Sequence, residues 1–541
     1  MILMTLILSL SKTTIPTGWP MLRANEQRTG YVQGYSHFAD SAIKKWDLLI
    51  QNSEGDIIYS SPVSADFNGD AKNDILIGSC TPAFPAADLY RGYDGMFIWA
   101  TVGNEMGPYF GTPALMDING DGKPEVFEST CDSFMTPPVK GYFKAYDGNS
   151  GAFIWGKRIV YGDSLNAFSW YTKDCCAPLV IEGDSGTVIV GDESGVLWAF
   201  NATNGNVRWF DTLTINLQPP SRGDVDGDGN KEIVVVGGVT LYVLNDAGNI
   251  KWSTAIGDTA TTPALSNFDA DTALEIVLYC YTTGKIKVFN SGNSTPFINA
   301  TVGIFAPDYS PETFGHDYWQ PSPGIADMTR DGIPDIVIHN GKKLYCINGA
   351  TGAVEWNKTH ANLFGSPVIA NLNNDTCNEI VVTGYPPDVD HRAQVNYFES
   401  NGDKGWGWNS PKGDTGYRDP ILNEACLTDV DGDGDLEIAV VDYSCYCVVL
   451  DVPGGAVEEN KINNKNNIEL GNTIFSNYVE LSVKEKTNTE YKIYDGVGRL
   501  VTRGFIMGNM RIDTRAIKKG VYFLKLNDGQ KEKTFKIIKI I

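Results

Sequence analysis

One short acidic design recurs seven times along the chain, in copies roughly 45–60 residues apart where they are consecutive. Three copies are complete: Asp117-Ile-Asn119-Gly-Asp121-Gly-Lys-Pro-Glu125, Asp224-Val-Asp226-Gly-Asp228-Gly-Asn-Lys-Glu232 and Asp429-Val-Asp431-Gly-Asp433-Gly-Asp-Leu-Glu437. Oxygen-bearing side chains stand at the first, third, fifth and ninth positions, with glycines between them. A hard cation such as Ca2+ needs about six to eight oxygens on a tightly bent backbone, so Ca2+ is the expected cofactor.

The other copies grade downward. Asp66, Asn68, Asp70 and Asp74 form a nearly complete loop. Asn267, Asp269, Asp271 and Glu275 keep the oxygens and lose the glycines. The copies built on Asp327, Asp331 and Asp335, and on Asn371, Asn373, Asp375 and Glu379, have fewer carboxylates. Each deficit should lower affinity. Metal-free Asx turns favour the same residue types, a reading that weighs most on the three weaker copies. An EF-hand is excluded: it needs flanking helices and a bidentate Glu at the twelfth position, where Ile77, Val235 and Val440 stand in three of the best four copies.

The elements that must position these loops are strands. Apolar or β-branched runs follow the loops, such as Ile75-Leu-Ile77, Ile233–Val236 and Ile438–Val441. A Pro-led segment precedes most of them, at Pro62, Pro113, Pro263, Pro323 and Pro367, and a polar turn and a tryptophan strand come after, as in Ala145-Tyr-Asp147…Gly151…Trp155. Four strands per repeat is the composition of a propeller blade, and no stretch has helical periodicity. Placing repeats near Pro62, Pro113, Pro178, Pro220, Pro263, Pro323, Pro367 and Pro420 gives an eight-bladed β-propeller. The third repeat reads Ile181-Glu-Gly-Asp184-Ser-Gly-Thr187, without the acidic loop, and a seven-bladed ring is the alternative. The last repeat ends after Leu450 without a tryptophan strand, while Trp46 precedes the first loop with no blade before it. Ile43–Leu49 is therefore expected to close the ring as the outer strand of the last blade, removing exposed edges.

The loops resemble FG-GAP or VCBS repeats of calcium-binding β-propellers. The tryptophan strands, and the opening segment Trp19-Pro-Met-Leu-Arg…Arg28-Thr-Gly-Tyr31, resemble pyrroloquinoline-quinone-type propeller repeats. The resemblance spans residues 18–455 and implies a calcium-binding propeller without fixing a function.

The ends differ from this array. Residues 461–541 carry a formal charge of +8, which leaves about −31 on the rest of a chain whose net charge is −23. Residues 456–472 read as a linker, and 473–541 alternate like a small immunoglobulin-like β-sandwich. That tail is similar to the C-terminal sorting domain of type IX secretion, on Ile493-Tyr-Asp495-Gly-Val-Gly498-Arg, Ile512-Asp513 and Lys519-Gly520-Val-Tyr-Phe-Leu524. The resemblance implies the secretion machinery as partner and a secreted or cell-surface location. Residues 1–17 are an apolar run of signal-peptide length that lacks a basic start and a clear cleavage site, so the true start lies upstream or the peptide is atypical. No other segment is apolar enough to span a bilayer.

No catalytic set emerges. The five histidines have no zinc-ligand spacing, and there is no nucleophile elbow or phosphate loop. The acidic balance excludes nucleic acid as a partner. Ten cysteines suggest some disulfides, with Cys80–Cys131 and Cys426 with Cys445 or Cys447 plausible by repeat position. The adjacent Cys175-Cys176 is the one hint of a quinone-dependent dehydrogenase, and an ordinary structural role outweighs it. Aromatic clusters at Phe168–Tyr171, Phe305–Trp319 and Trp406–Trp408 suit glycan stacking or packing. The expectation is a calcium-binding surface module for a glycan or protein ligand, with no catalytic residues and no organic cofactor. A propeller polysaccharide lyase is the first alternative and a quinone-type dehydrogenase the second.

Overall fold

The computed structural model describes residues 18–38, 41–50, 60–78, 87–101, 111–131, 140–160, 177–192, 194–269, 271–306, 320–385, 393–410, 421–442 and 446–451, and, in the C-terminal unit, 468–470, 474–475, 478–483, 489–495, 499–506, 510–513, 518, 520–527 and 532–539. Residues 1–17, Cys80, Cys175, Cys176, Cys445, the cluster at 168–171 and most of that at 305–319 lie outside the described residues. The chain divides into two compact units, Met1–Ala456 and Val457–Ile541.

In the first unit the described strands form eight four-stranded antiparallel sheets, seven of them meanders in chain order, the seventh with an added fifth strand, and the eighth built from three consecutive strands and one from the start of the chain. The fourth is representative: Ser221–Gly223, Glu232–Gly237, Thr240–Leu244 and Ile250–Ala255. Its second strand is buried throughout and its outer strand alternates exposed and half-buried. The apolar runs after the loops are these second strands, flanked on both sides, so they carry no polar face.

The tryptophans join one sheet to the next. The Trp99 indole N–H donates to Gly148 O at 2.9 Å, Trp155 to Ala202 O at 2.7 Å and Trp209 to Asp246 O at 2.8 Å, always in the following sheet. Each ring lies over the turn of that sheet. A Cβ on Gly205 (φ 68°) would stand 2.5 Å from Trp155, which explains the glycine between each polar turn and its tryptophan strand.

The closure expected from Ile43–Leu49 is present. That strand pairs antiparallel with Tyr446–Asp451, setting Trp46 opposite Val449. Trp46 then donates to Gly92 O of the first sheet at 2.6 Å, repeating the contact made elsewhere between sheets consecutive in the chain.

The opening segment does something the sequence reading missed. Residues 19–30 run along the inner strands and accept one backbone N–H from most sheets. Ser64 bonds Trp19 O, Leu115 Pro20 O, Arg222 Glu26 O, Leu265 Gln27 O, Ile325 Thr29 O and Ile369 Gly30 O, at 2.7–2.9 Å. Every donor sits two residues after the proline that opens its repeat. Arg28, fully buried, donates to Pro178 O and Pro220 O. Arg23, 1% exposed, donates to Pro367 O and pairs with Glu424 at 3.1 Å. Tyr31–Tyr35 then adds a parallel strand to Val368–Asn371.

The C-terminal unit has a three-stranded and a five-stranded sheet. Gly520–Asn527 is central in the larger sheet and buries Tyr522, Leu524 and Leu526, facing Ile493 and Tyr491 of the adjacent strand. The Tyr522 hydroxyl donates to Lys518 O at 2.6 Å.

The disulfide expected for Cys426 with Cys447 is not formed: both are free, buried thiols on strands separated by Glu437–Val441, filling core volume. Trp406 is also packed inside. It stacks on Tyr397 at 5.1 Å and donates to Phe38 O, so it is not presented to a glycan.

Candidate functional site

Each acidic loop joins the first strand of its sheet to the second, and its ninth residue is the first residue of that second strand. This holds for Asp74, Glu125, Glu232, Glu275, Asp335, Glu379 and Glu437. All seven are buried, while the third and fifth residues of the loops are mostly exposed.

The positions divide the work. The first Asp shapes the loop: both oxygens of Asp224 accept backbone N–H groups, from Gly227 at 2.7 Å and Gly229 at 2.9 Å. Asp66, Asp117, Asp327 and Asp429 bind the equivalent amides. The fifth residue caps a second turn, as Asp70, Asp121, Asp228, Asp271, Asp331 and Asp433 accept the N–H two residues on. Left-handed backbone occupies the fourth and sixth positions of the five loops that open with Asp, and the fourth of the 371–379 loop. Ala71 (φ 64°), Arg330 (φ 63°) and Asn374 (φ 56°) adopt it without glycine, so the weaker copies keep the loop at some conformational cost.

The ninth carboxylate faces inward. One oxygen accepts the N–H of the loop's second residue, as Glu275 does from Phe268 and Glu437 from Val430, both at 2.7 Å. The other oxygen of Glu275, Asp335, Glu379 and Glu437 is buried without a hydrogen-bond partner among the described residues. Burial, with the loop's other carboxylates adding to it, raises the carboxyl of Asp74, Glu125 and Glu275 to about 7, Glu379 to about 8 and Glu437 to about 9. Glu232 and Asp335 are raised for the same first reason. A buried, orphaned acceptor beside further carboxylates is a donor set suited to a hard cation.

The loops are not equal. Carboxylate oxygens converge in three: Asp224, Asp226 and Glu232; Asp269, Asp271 and Glu275; Asp429, Asp431 and Glu437. Asn267 stands in the first position of the middle set; the sequence ranked that loop low for its missing glycines, yet it keeps its carboxylates together. In the Asp66 and Asp117 loops an asparagine turns its amide onto the ninth residue instead, Asn68 onto Asp74 at 3.2 Å and Asn119 onto Glu125 at 2.7 Å. Two lysines also enter. Lys251 contacts Asp226 Oδ2 at 2.5 Å, Asp228 Oδ2 at 3.1 Å and Glu232 Oε1 at 3.0 Å. Lys45 bridges Asp431 at 2.6 Å and Asp451 at 2.8 Å. Both lysines stand directly before an outer-strand tryptophan, a placement that could have been read from Lys45-Trp46 and Lys251-Trp252.

A pocket of about 600 Å³ opens on this loop face, where the opening segment meets the third and fourth sheets. Met21, Glu26, Gln33, Glu182, Arg222 and Lys231 line it. Glu26 is held by Arg222 at 3.2 Å and by Lys231. The pocket lies beside the one repeat that lacks an acidic loop.

Residues 475–540 match the secretion system C-terminal sorting domain family, and residues 139–295 match the outer membrane protein assembly factor BamB family. The chain carries a PQQ-like, BamB-type β-propeller repeat domain and a type IX secretion C-terminal sorting domain. The second of these makes it a secreted or cell-surface protein, with the type IX machinery as partner. Among solved structures it is similar to the quinohemoprotein alcohol dehydrogenase of Comamonas testosteroni, 12% identical over 80% of each chain with a TM-score of 0.51. A europium-containing methanol dehydrogenase is 13% identical, with 78% of this chain and 89% of that one covered and a TM-score of 0.50. BamB from Moraxella catarrhalis is 13% identical, with 76% and 98% covered and a TM-score of 0.46. At these identities the first two likenesses are of fold alone. No curated protein matches the sequence. No helix among the described residues is long and apolar enough to cross a membrane.

Proposed function

We propose that this protein is a calcium-stabilised, eight-bladed propeller of the FG-GAP or VCBS kind, exported on an immunoglobulin-like sorting domain, that binds a glycan or protein segment without catalysing a reaction on it. The axial pocket carries the reading. It has the volume of a small-ligand site, a floor fixed by backbone bonds to most of the sheets, and charged and amide groups already oriented by the Glu26–Arg222–Lys231 network. Calcium is supported by the orphaned oxygens of Glu275, Asp335, Glu379 and Glu437. Asp269, Asp271 and Glu275, with Asn267, would hold it best, and Asp429, Asp431 and Glu437 next. The ion would supply charge neutralisation and rigidity to the loop.

A glycan array probed with calcium-loaded protein tests the binding role. Gln33→Ala and Lys231→Ala should weaken every retained spot about tenfold, or roughly 1.4 kcal/mol. Spots unaffected by both substitutions would place the ligand elsewhere. An absorbance rise from unsaturated product on pectic polymers would replace the binding role with that of a lyase.

A further inference from the structure

The loop with one of the most complete motifs is the one whose cation position is already filled. Lys251 projects from the outer strand of the fourth sheet into the 224–232 loop, and its ammonium meets Asp226, Asp228 and Glu232 together. As a result Glu232 has no orphaned oxygen, while Glu275 in the next sheet does. The corresponding outer-strand place in the fifth sheet, before Ile298 opposite Val288, is held by Phe297, which carries no charge. In the third sheet it is Arg208, whose guanidinium donates to Ser185 Oγ at 2.6 Å and Gly186 O at 3.0 Å in the loop that lacks the repeated acidic motif. The basic residue before the outer tryptophan therefore acts on its own sheet's loop in more than one repeat.

We propose that Lys251 is a resident cation that excludes calcium from the 224–232 loop while the neighbouring 267–275 loop loads; this rests on the calcium reading given above. The ammonium and a metal would compete for the same carboxylate oxygens. A tethered competitor acts at an effective concentration on the order of millimolar, without diffusing away. The arrangement has a use. Arg222 and Lys231 flank and belong to this loop, and both hold Glu26 in the pocket wall. A wall pinned by lysine keeps its form when external calcium falls.

The test uses the full chain, calcium uptake by equilibrium dialysis, and hydrogen exchange of the two loops with and without chelator. Chelator should speed exchange in 267–275 and leave 224–232 unchanged. Asp269→Asn should lower the ion count and Asp226→Asn should not. Lys251→Met should add a bound ion per chain and make 224–232 chelator-sensitive. A drop in ions with Asp226→Asn in the otherwise unaltered protein, or an unchanged count with Lys251→Met, overturns the inference. If the unaltered protein takes up no calcium, the calcium reading falls on its own, and Lys251→Met still decides: a gained ion supports the resident cation and no gain refutes it.

Discussion

At the rim of the propeller, Trp46, Trp99, Trp155 and Trp209 each lie over a turn of the next sheet and donate one hydrogen bond to its backbone. On the loop face, the fifth to eighth sheets present buried carboxylates with raised pKa and oxygens that lack partners among the described residues. The rim is apolar and complete by itself. The loop face is complete only when its charge is answered, by a metal, by a lysine, or by protons. One ring thus has a part whose stability is indifferent to the medium and a part whose stability is set by it.

The largest expected effect tests whether the rim and axis need their N-terminal partner. Deleting residues 18–50 removes the closing strand and every bond to residues 19–30, and no folded monomer should remain by size exclusion and circular dichroism. A stable monomer would mean that the closing seam is dispensable. Next, Trp155→Ala should destabilise by about 3–5 kcal/mol in a denaturant titration, equally with and without chelator. A chelator-dependent difference would blur the division between rim and loops.

Chelation addresses the other side. Each loaded site should contribute ~2.7 kcal/mol at one hundred times its dissociation constant, so chelator should lower the melting temperature by several degrees or more. The pH response of the metal-free protein follows from the raised carboxyls. A group whose folded pKa exceeds its unfolded one binds its proton more tightly when folded, so its contribution is present at low pH and lost as pH rises through the folded value. Metal-free protein should therefore be more stable at about pH 5 than at about pH 9, the loss beginning in the ordinary carboxylate range and ending at about 7 to 9, where Asp74, Glu125, Glu275, Glu379 and Glu437 give up their protons in the folded state. Added calcium should flatten that slope. A metal-free protein that gains stability with rising pH would show these carboxylates to be otherwise satisfied. The smallest effect separates two loops. Asp224→Ala loses the two carboxylate oxygens that accept the Gly227 and Gly229 N–H groups and should cost about 1–3 kcal/mol, whereas Asn371→Ala, which loses one exposed bond to Asp375 O, should cost under about 1 kcal/mol.

What could be read from the chain was what is local. Asp, Asn and Gly dictate their turn within nine residues, and a buried second strand has to be apolar, so loops and strands followed from type and spacing. The closing strand followed from a missing tryptophan. The axial segment did not, because nothing in the side chains of Arg23 or Arg28 distinguishes a buried arginine from a surface one; their acceptors are proline carbonyls far along the chain. Loop quality was misjudged for a related reason. Glycine count reports the ease of a bend, while the approach of Lys251, or the turned amide of Asn119, depends on neighbours that the motif does not contain.

The axial segment also sets a schedule. Arg23 and Glu424 are 401 residues apart, so the first described part of the chain to be made is the last to be satisfied. Until the eighth repeat exists, residues 19–30 have no complete set of donors and Ile43–Leu49 has no strand to join. Contacts of such sequence separation make folding slow, and here they make its final step all-or-none. In an exported chain, such a latch cannot close before nearly the whole propeller has been made.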